Sequence, residues 1–186
     1  AAEYESMSDP TNFYSTSTAS IEATNFIGWY DTSWNQRMLL TIPANKAQSD
    51  LSVFTVYVDL SVLGDTFFSY VANDGGDIRV TTSNGRTELP IELVGIDAGA
   101  KTGQMYFKAD LVGGADNEFY IYYENPDAEL YDRDDTYGAE NVWTNGYRAV
   151  YPFDESVSGV GTTNAFKDST SNGFHADDET ASNGKI

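Results

Sequence analysis

Short stretches in which apolar and polar residues alternate recur through the middle of this chain, separated by turns rich in glycine, aspartate and asparagine. Residues 105–109 and 119–123 show the alternation most clearly. A period of two places apolar side chains on one face of a strand and polar side chains on the other. Such strands recur roughly every 10 to 15 residues, without a long amphipathic helix, which predicts an all-β fold, an antiparallel, jelly-roll-like β-sandwich.

The hairpin signal in the middle of the chain is the Asn84-Gly85 pair, because this dipeptide suits the tight turns that join antiparallel strands. Phe54 and every second residue after it are expected to face the core. Residues 126–131 are expected to form a helical turn. The strands predicted from alternation and turn signals are 38–42, 54–60, 78–82, 88–94, 105–109, 119–123 and 148–153.

The composition limits which partners the chain can have. Its 29 acidic residues face only 10 Lys and Arg, a net charge of −19, which excludes nucleic acids and disfavours anionic membrane surfaces. Without a long apolar run, membrane insertion is not expected. The absence of cysteine excludes disulfides, thiolate metal sites and cysteine catalysis. The acidity favours solubility in a salty medium, and the alternative interpretation is divalent cation binding.

One acidic pair lies in a turn that leads into a predicted strand. Asp74 and Asp77 flank two glycines, and hard oxygen ligands at such a turn could bind Ca²⁺. The competing interpretation is an Asx-turn or hairpin cap, in which the carboxylates accept backbone N–H bonds. Arg79 is expected to neutralise one of these two carboxylates.

A denser acidic cluster follows the predicted sandwich. Asp132, Asp134 and Asp135 could hold Ca²⁺ if the loop folds back on itself, although their spacing is not that of an EF-hand. A solvated surface loop is the competing interpretation. The sequence therefore predicts that no cofactor is required, with Ca²⁺ as an optional ligand.

The tryptophans raise the question of a sugar site. Exposed aromatic rings stack on sugars, so Trp29, Tyr30 and Trp143 are the candidate ligand-binding residues. Trp34 is expected to pack in the core, with Arg37 bound to a carboxylate.

Catalysis has little support in the sequence. His175 is the only histidine, and no Gly-x-Ser-x-Gly nucleophile elbow accompanies it. A carboxylate pair could hydrolyse a glycosidic bond, but among so many acidic residues a suitable pair is uninformative. The chain is therefore predicted not to be an enzyme.

A series of short motifs, in this order, resembles the DUF2341 family, an all-β module of bacterial, archaeal and viral surface proteins. No enzymatic activity is established for that module. The final motifs look like the opening of the concanavalin A-like (LamG) lectin domain that often follows it. The motifs are Trp34-x-x-Arg37, Asp50-Leu51-Ser52-Val53-Phe54, Asp74-Gly75-Gly76-Asp77-Ile78-Arg79, Glu88-Leu89-Pro90-Ile91-Glu92, Tyr120-Ile121-Tyr122-Tyr123-Glu124-Asn125, Tyr147-Arg148-Ala149-Val150-Tyr151-Pro152-Phe153-Asp154-Glu155 and Asp168-Ser169-Thr170.

Three regions follow from composition and resemblance together. The polar, Ser/Thr/Ala-rich residues 1–28 are predicted to form an extended N-terminal arm. Residues 29–139 correspond to the DUF2341-like sandwich. Residues 140–186 are a partial second β unit, either the truncated start of a LamG-like domain or an extended C-terminal segment.

The resemblance implies an extracellular location, on a cell surface or virion. The first functional hypothesis is a structural or interaction module of a surface, filament or virion protein, which self-associates or contacts assembly neighbours through its extended arms. The alternative is a carbohydrate-binding adhesion module with glycan partners and calcium as an optional ligand.

Overall fold

The computed structural model describes residues 28–156 and 163–178, so the predicted arm lies outside the described residues except for Gly28. A 3₁₀ turn, Leu60–Leu63, runs into the helix α1, Gly64–Tyr70, and a short helix α2 spans Ala139–Val142. The strands are β1 Gln36–Ile42, β2 Leu51–Asp59, β3 Arg79–Thr82, β4 Glu88–Leu89, β5 Ile91–Asp97, β6 Thr102–Leu111 and β7 Asn117–Tyr123.

The strands form two antiparallel sheets. The first sheet has the order β1-β7-β3-β4 and the second the order β2-β6-β5. The predicted all-β sandwich is therefore confirmed. Most predicted strands are present within a few residues of their expected bounds.

The core lies between the inner faces of the two sheets. Alternate residues of β6 and β7 point inward, as the period of two predicts, and the ring of Phe107 lies 5.0 Å from that of Phe119. Phe67 of α1 packs on Tyr123 and closes one end of the core. Burying one such side chain stabilises the fold by roughly 1.5–3 kcal/mol.

Pro90 divides the expected strand 88–94 between the two sheets. Before it, Val80 pairs with Leu89 in the first sheet, and after it Ile91 pairs with Phe107 in the second. A single strand was therefore the wrong prediction. Proline has no N–H to continue a ladder, so a break in pairing is tolerated at this position.

A bulge in β2 precedes Phe54. The register shifts between Leu51 and Phe54, and Val53 has a φ of 54°, in the left-handed region. The bulge is held by a bond from the Val53 N–H to the Asp110 carboxylate at 2.7 Å. Phe54 pairs with the buried Ala109 and so projects to the core side of the sheet, as predicted, although it remains 41% exposed. Because β2 is an edge strand, the bulge also hinders pairing with another chain.

Two further local predictions are wrong. Residues 126–131 form a turn and irregular chain instead of a helical turn, and residues 148–153 are irregular instead of a strand. Within the described part of residues 140–178, the only β pairing is an isolated bridge between Phe166 and Ala176. This segment is ordered by side-chain bonds to the second sheet.

Candidate functional site

The outer face of the first sheet is built from two arginines on either side of a tyrosine. Arg37 of β1 and Arg79 of β3 both lie opposite Tyr122 of β7. Directly paired residues project to the same face of a sheet, so all three side chains share the face opposite the core. The segments before β1 and after β7 cover this face.

Arg37 lies between two aromatic rings. Its guanidinium is 4.8 Å from the Trp29 ring centroid and 4.4 Å from that of Tyr120. It donates to Gly28 O at 2.7 Å and to the Tyr122 hydroxyl at 3.2 Å. Among residues 28–156 and 163–178 the expected carboxylate partner is not present, and the groups around this side chain are ring faces, a tyrosine hydroxyl and a main-chain carbonyl.

Arg79 is buried at 5% exposure and organises the loops at one end of the first sheet. Its Nη atoms donate to Gly76 O at 2.9 Å, to Ile78 O at 2.7 Å and to Glu129 O at 2.9 Å. Its Nε lies 3.5 Å from a Glu88 oxygen. It was expected to neutralise Asp74 or Asp77, and the correction is that its carboxylate partner is Glu88 of β4.

Glu88 joins this arginine to two tyrosines. Its carboxylate accepts hydrogen bonds from the Tyr30 hydroxyl at 2.5 Å and the Tyr131 hydroxyl at 2.9 Å. Burial raises the pKa of Glu88, although the two hydroxyl donors and Arg79 oppose the increase. Burial and the neighbouring carboxylate also raise the pKa of Tyr30.

Trp34 belongs to the same outer face, so its predicted place in the core is wrong. It is half-buried, its ring centroid lies 5.1 Å from that of Tyr30, and the Arg79 guanidinium lies 5.4 Å from it. Its Nε1 donates to Asp77 O at 2.6 Å. An indole needs a partner for its N–H, and a loop carbonyl at the sheet edge supplies one where the apolar core would not.

The three predicted ligand-binding aromatics do not form one site. Trp29 contacts Tyr122 on the outer face of the first sheet, and Tyr30 lies beside it. Trp143 contacts Tyr106 on the outer face of the second sheet, on the opposite side of the sandwich. Trp29 is 39% exposed, whereas Trp143 is only 8% exposed.

Asp74 and Asp77 are occupied by backbone donors. Asp77 accepts the N–H of Ala72 at 3.0 Å through one oxygen and the N–H of Glu124 at 2.7 Å through the other. Asp74 accepts the N–H of Gly76 at 2.9 Å, the geometry of an Asx-turn. These bonds correspond to the hairpin-cap interpretation of the pair.

The other acidic cluster lines an open hollow. Asp132 and Asp134 lie in the wall of a cavity of about 380 Å³, together with Glu140 and His175. Asp135 lies beside it and donates its N–H to Asp132 O at 3.1 Å. Within residues 28–156 and 163–178, no three carboxylate, histidine or cysteine side chains are arranged to hold a metal ion. Calcium binding stays a prediction.

Glu92 is the centre of a second network, on the outer face of the second sheet. It is 6% exposed and accepts hydrogen bonds from the Trp143 Nε1 at 2.5 Å and from the Ser169 hydroxyl. Burial raises the pKa of Glu92, against the opposing effect of these two donors and of the nearby Arg133 charge. The alternation of β5 places Glu92 opposite Tyr106, away from the core.

Asp168 holds the loop that presents Ser169. Its carboxylate accepts the N–H groups of Thr170, Val150 and Phe174, each at 2.9 Å. Burial disfavours the ionised form, but these donors outweigh it and hold the pKa of Asp168 below its ordinary value. Arg133 donates to the main-chain carbonyl of Asp168 and so joins this loop to the sandwich.

Two cavities lie on either side of Glu92, and together they are called the β5 groove. The larger has a volume of about 370 Å³ and the smaller about 130 Å³, and Glu92 and Pro152 line both. The larger one mixes apolar walls with a few polar groups, as ligand sites do. The residues of this groove come from separate stretches of the chain, so the groove was not predicted from the sequence. The one available signal was an acidic residue, Glu92, between apolar ones in a predicted strand.

No family model, no curated protein and no solved structure matches this chain. The resemblance to the DUF2341 family and to the LamG opening therefore stays a prediction. Among residues 28–156 and 163–178, no helix is long and apolar enough to cross a membrane.

Proposed function

We propose that this chain is a non-enzymatic, extracellular interaction module of a cell-surface, filament or virion protein, which makes subunit contacts through extended segments. One observation carries the proposal. Both outer faces of the sandwich use buried or half-buried charged groups to hold chain segments that are not strands, through Arg37 and Glu88 on one face and Glu92 on the other. A sandwich of this kind can bind extended chain segments on both of its outer faces.

The attachment on the first sheet supports this role. Gly28 N–H donates to Asn84 O at 2.8 Å, and Arg37 donates to Gly28 O. Gly85 has a φ of 69°, and a Cβ there would lie 2.2 Å from Gly28 O. Only glycine tolerates both the positive φ and this close approach. The chain that follows the predicted arm is therefore fixed to the β3–β4 hairpin.

The attachment on the second sheet involves residues beyond 139. Thr55 donates to Val142 O at 3.2 Å, and Lys108 Nζ donates to the Thr144 hydroxyl at 3.1 Å. Together with the Glu92 bonds, these contacts hold the C-terminal segment on the outer face. They support the interpretation of residues 140–178 as an extended segment that uses the sandwich as its support.

The chemistry of the buried groups supports a role without catalysis. Glu88, Glu92 and Asp168 all have shifted pKa values, and each is bonded to neighbouring chain segments. Ser169 is 0% exposed, and His175 Nδ1 accepts the Asp168 N–H at 3.0 Å. Shifted pKa values arise in structural networks as well as in active sites, and these bonds favour the structural explanation.

Location and family are proposed on the same basis. The order of motifs resembles the DUF2341 family of surface proteins, and a net charge of −19 suits a protein in a salty medium. The module as proposed needs no cofactor, and Ca²⁺ is an optional ligand of its acidic loops.

Sedimentation velocity over a wide concentration range tests the proposal, with and without CaCl₂. We compare the 186-residue chain, a chain lacking residues 1–27, and Arg37→Met, which loses the anchor of Gly28. We expect concentration-dependent self-association that deletion abolishes and Arg37→Met weakens, whereas Lys101→Ala, at a surface ion pair, has no effect. A monomer under every condition would contradict self-association through the arm.

A further inference from the structure

The β5 groove has the size and wall chemistry of a site for a small polar ligand. Its larger cavity, about 370 Å³, falls within the range of roughly 300–1,000 Å³ that ligand pockets occupy. Leu93 and Ile96 supply apolar wall, and Tyr131, Arg133 and Asp154 supply polar groups. This mixture fixes the orientation of a ligand that has both apolar and hydroxyl-bearing surfaces.

The smaller cavity continues the groove across Glu92 and Pro152. Three aromatic residues line it, together with Gln104. Gln104 is exposed, and its side-chain oxygen accepts a hydrogen bond from the Tyr106 hydroxyl at 3.3 Å. An amide both donates and accepts hydrogen bonds, so it can bind a hydroxyl group in either sense. The aromatic residues are Tyr106, Trp143 and Tyr151.

A row of aromatic rings leads away from the smaller cavity over the outer face of the second sheet. The ring centroids of Tyr57 and Tyr106 are 5.4 Å apart, those of Tyr106 and Trp143 are 5.1 Å apart, and those of Trp143 and Tyr147 are 5.0 Å apart. Tyr57 is 53% exposed and Tyr147 41% exposed. Between these two exposed rings Tyr106 is half-buried and Trp143 is only 8% exposed, so the row offers two exposed rings for a ligand. Exposed aromatic rings rimmed by polar groups are typical of interaction sites.

The charges of the groove favour a neutral ligand. Asp74, Glu92 and Asp154 line it, and the chain as a whole carries a charge of −19. Of the two arginines in the wall, Arg79 already donates to three main-chain carbonyls, so Arg133 is the main cation that could meet a ligand. An anionic ligand would be repelled, whereas hydroxyl groups can donate to carboxylates and accept from a guanidinium.

We infer that the β5 groove binds a neutral oligosaccharide. A pyranose ring has one face rich in C–H groups, which suits the negative face of an aromatic ring, and hydroxyls at its edge. The exposed tyrosines take the C–H faces, and Gln104, Arg133 and Asp154 bond the hydroxyls. This activity goes beyond subunit contact and uses the groove beside Glu92, which Gly28 does not line.

Indole N–H signals in a ¹H–¹⁵N NMR titration test the inference with an internal control. Trp143, whose Nε1 donates to Glu92, lies in the groove wall, whereas Trp29 and Trp34 lie on the outer face of the first sheet. The probes are cellohexaose, chitohexaose and mannohexaose, with hexagalacturonate as the charged counterpart. We expect one or more neutral probes to shift the Trp143 signal and leave the Trp29 signal unchanged. Trp34 is not a control, because its ring lies 5.4 Å from the Arg79 guanidinium in the groove wall.

Three exposed residues of the groove and row can be changed with little risk to folding. Gln104→Ala, Asp154→Asn and Tyr57→Ala are each expected to weaken binding by about 5–10-fold, the loss of one hydrogen bond or one ring contact. Tyr70→Ala is the matched control, because Tyr70 is 49% exposed at the end of α1 and lines neither cavity. It should leave affinity unchanged.

Each remaining outcome overturns the inference. If no neutral probe binds with a Kd below about 1 mM, the groove is not a sugar site. Binding that shifts Trp29, or that survives all three groove variants, places the ligand elsewhere. Preference for hexagalacturonate would contradict the charge argument.

Discussion

Glu88 and Glu92 are separated by three residues, yet they serve opposite sides of the molecule. Glu88, at 9% exposure, faces outward from the first sheet beside Arg79, and Glu92, at 6%, faces outward from the second sheet among neutral donors. Pro90 lies between them, where the chain crosses from one sheet to the other. One short sequence thus supplies a buried carboxylate to each outer face.

The difference between the two carboxylates lies in what they hold. Glu88 also accepts from Tyr30 and Tyr131, which lie outside the strands, but its ion-pair partner Arg79 is in β3, so this network joins two strands of the first sheet. Glu92 bonds to Trp143 and Ser169, both of which follow the last strand. A change at the first network is therefore expected to affect global unfolding, and a change at the second to release one segment.

Arg79→Met should have the largest effect on stability. It removes three bonds to main-chain carbonyls and leaves Glu88 buried without a cation. Breaking one side of a buried ion pair costs about 3–5 kcal/mol. Urea unfolding followed by circular dichroism measures the change in the free energy of unfolding.

The double variant Arg79→Met/Glu88→Gln is the matched control. Because it removes the unpaired charge as well, it should recover part of the loss. A loss below about 1 kcal/mol for Arg79→Met would mean that the ion pair does not organise the first sheet, and the contrast between the two faces would fail.

Glu92→Ala should lower the free energy of unfolding less than Arg79→Met does. Its effect should be confined to the segment that Glu92 holds. It leaves the Trp143 indole N–H and the Ser169 hydroxyl without their acceptor, at about 2–4 kcal/mol for two buried donors. Hydrogen exchange measured by mass spectrometry should show protection lost in residues 143–156 and 163–178 and retained in β6 and β7. Glu92→Gln, which keeps one acceptor, should lose less. Loss of protection spread equally over the sandwich would erase the distinction from Glu88.

The pH dependence of stability should reflect the titration of both Glu88 and Glu92. Burial raises the pKa of Glu88 and of Glu92, so the folded state binds protons more tightly than the unfolded chain. Their stabilising contribution is full below the ordinary glutamate pKa and is lost as pH rises through the raised values. The pKa of Asp168 is lowered, so its contribution is lost as pH falls through that lowered value.

Thermal melts across a pH series measure this balance. Stability should be greatest in the mildly acidic range, between the lowered pKa of Asp168 and the raised values of the two glutamates. Reduced repulsion among 29 acidic residues would act in the same direction, so Glu88→Gln and Glu92→Gln are the controls. Each should flatten the decline toward neutral pH. If stability declines equally in these variants, the decline is caused by the overall charge and not by the two glutamates.

The sequence predicted features that depend on local pattern. Alternation in β6 and β7 identified the inward residues, including Phe107 and Phe119, and Asn84-Gly85 identified the hairpin. These signals work because a strand has a fixed period and a tight turn needs particular backbone angles. The bulge before Phe54 has no such signature, since its geometry is set by a bond to Asp110 in the neighbouring strand.

The partners of charged and aromatic side chains were not predictable in the same way. Arg37 was expected to bind a carboxylate and lies between two rings, and Arg79 was assigned to Asp74 or Asp77 but pairs with Glu88. Long side chains reach residues distant in sequence, so partner choice depends on strand order. The β5 groove was not predicted for the same reason, because the residues that line it are distant in sequence.

Replacing Pro90 should have the smallest effect and sharpens the comparison most directly. If the proline alone makes the chain cross, Pro90→Ala would let β4 and β5 merge; if the buried glutamates fix the crossing, the fold is kept. We expect the second result, with a loss of about 0.4–1 kcal/mol from the greater freedom of the unfolded chain. Urea unfolding measures the loss, and the Trp143 indole N–H signal reports whether Glu92 still faces the second sheet. A moved or missing Trp143 signal would show that proline, and not the pair of carboxylates, determines which face each glutamate serves.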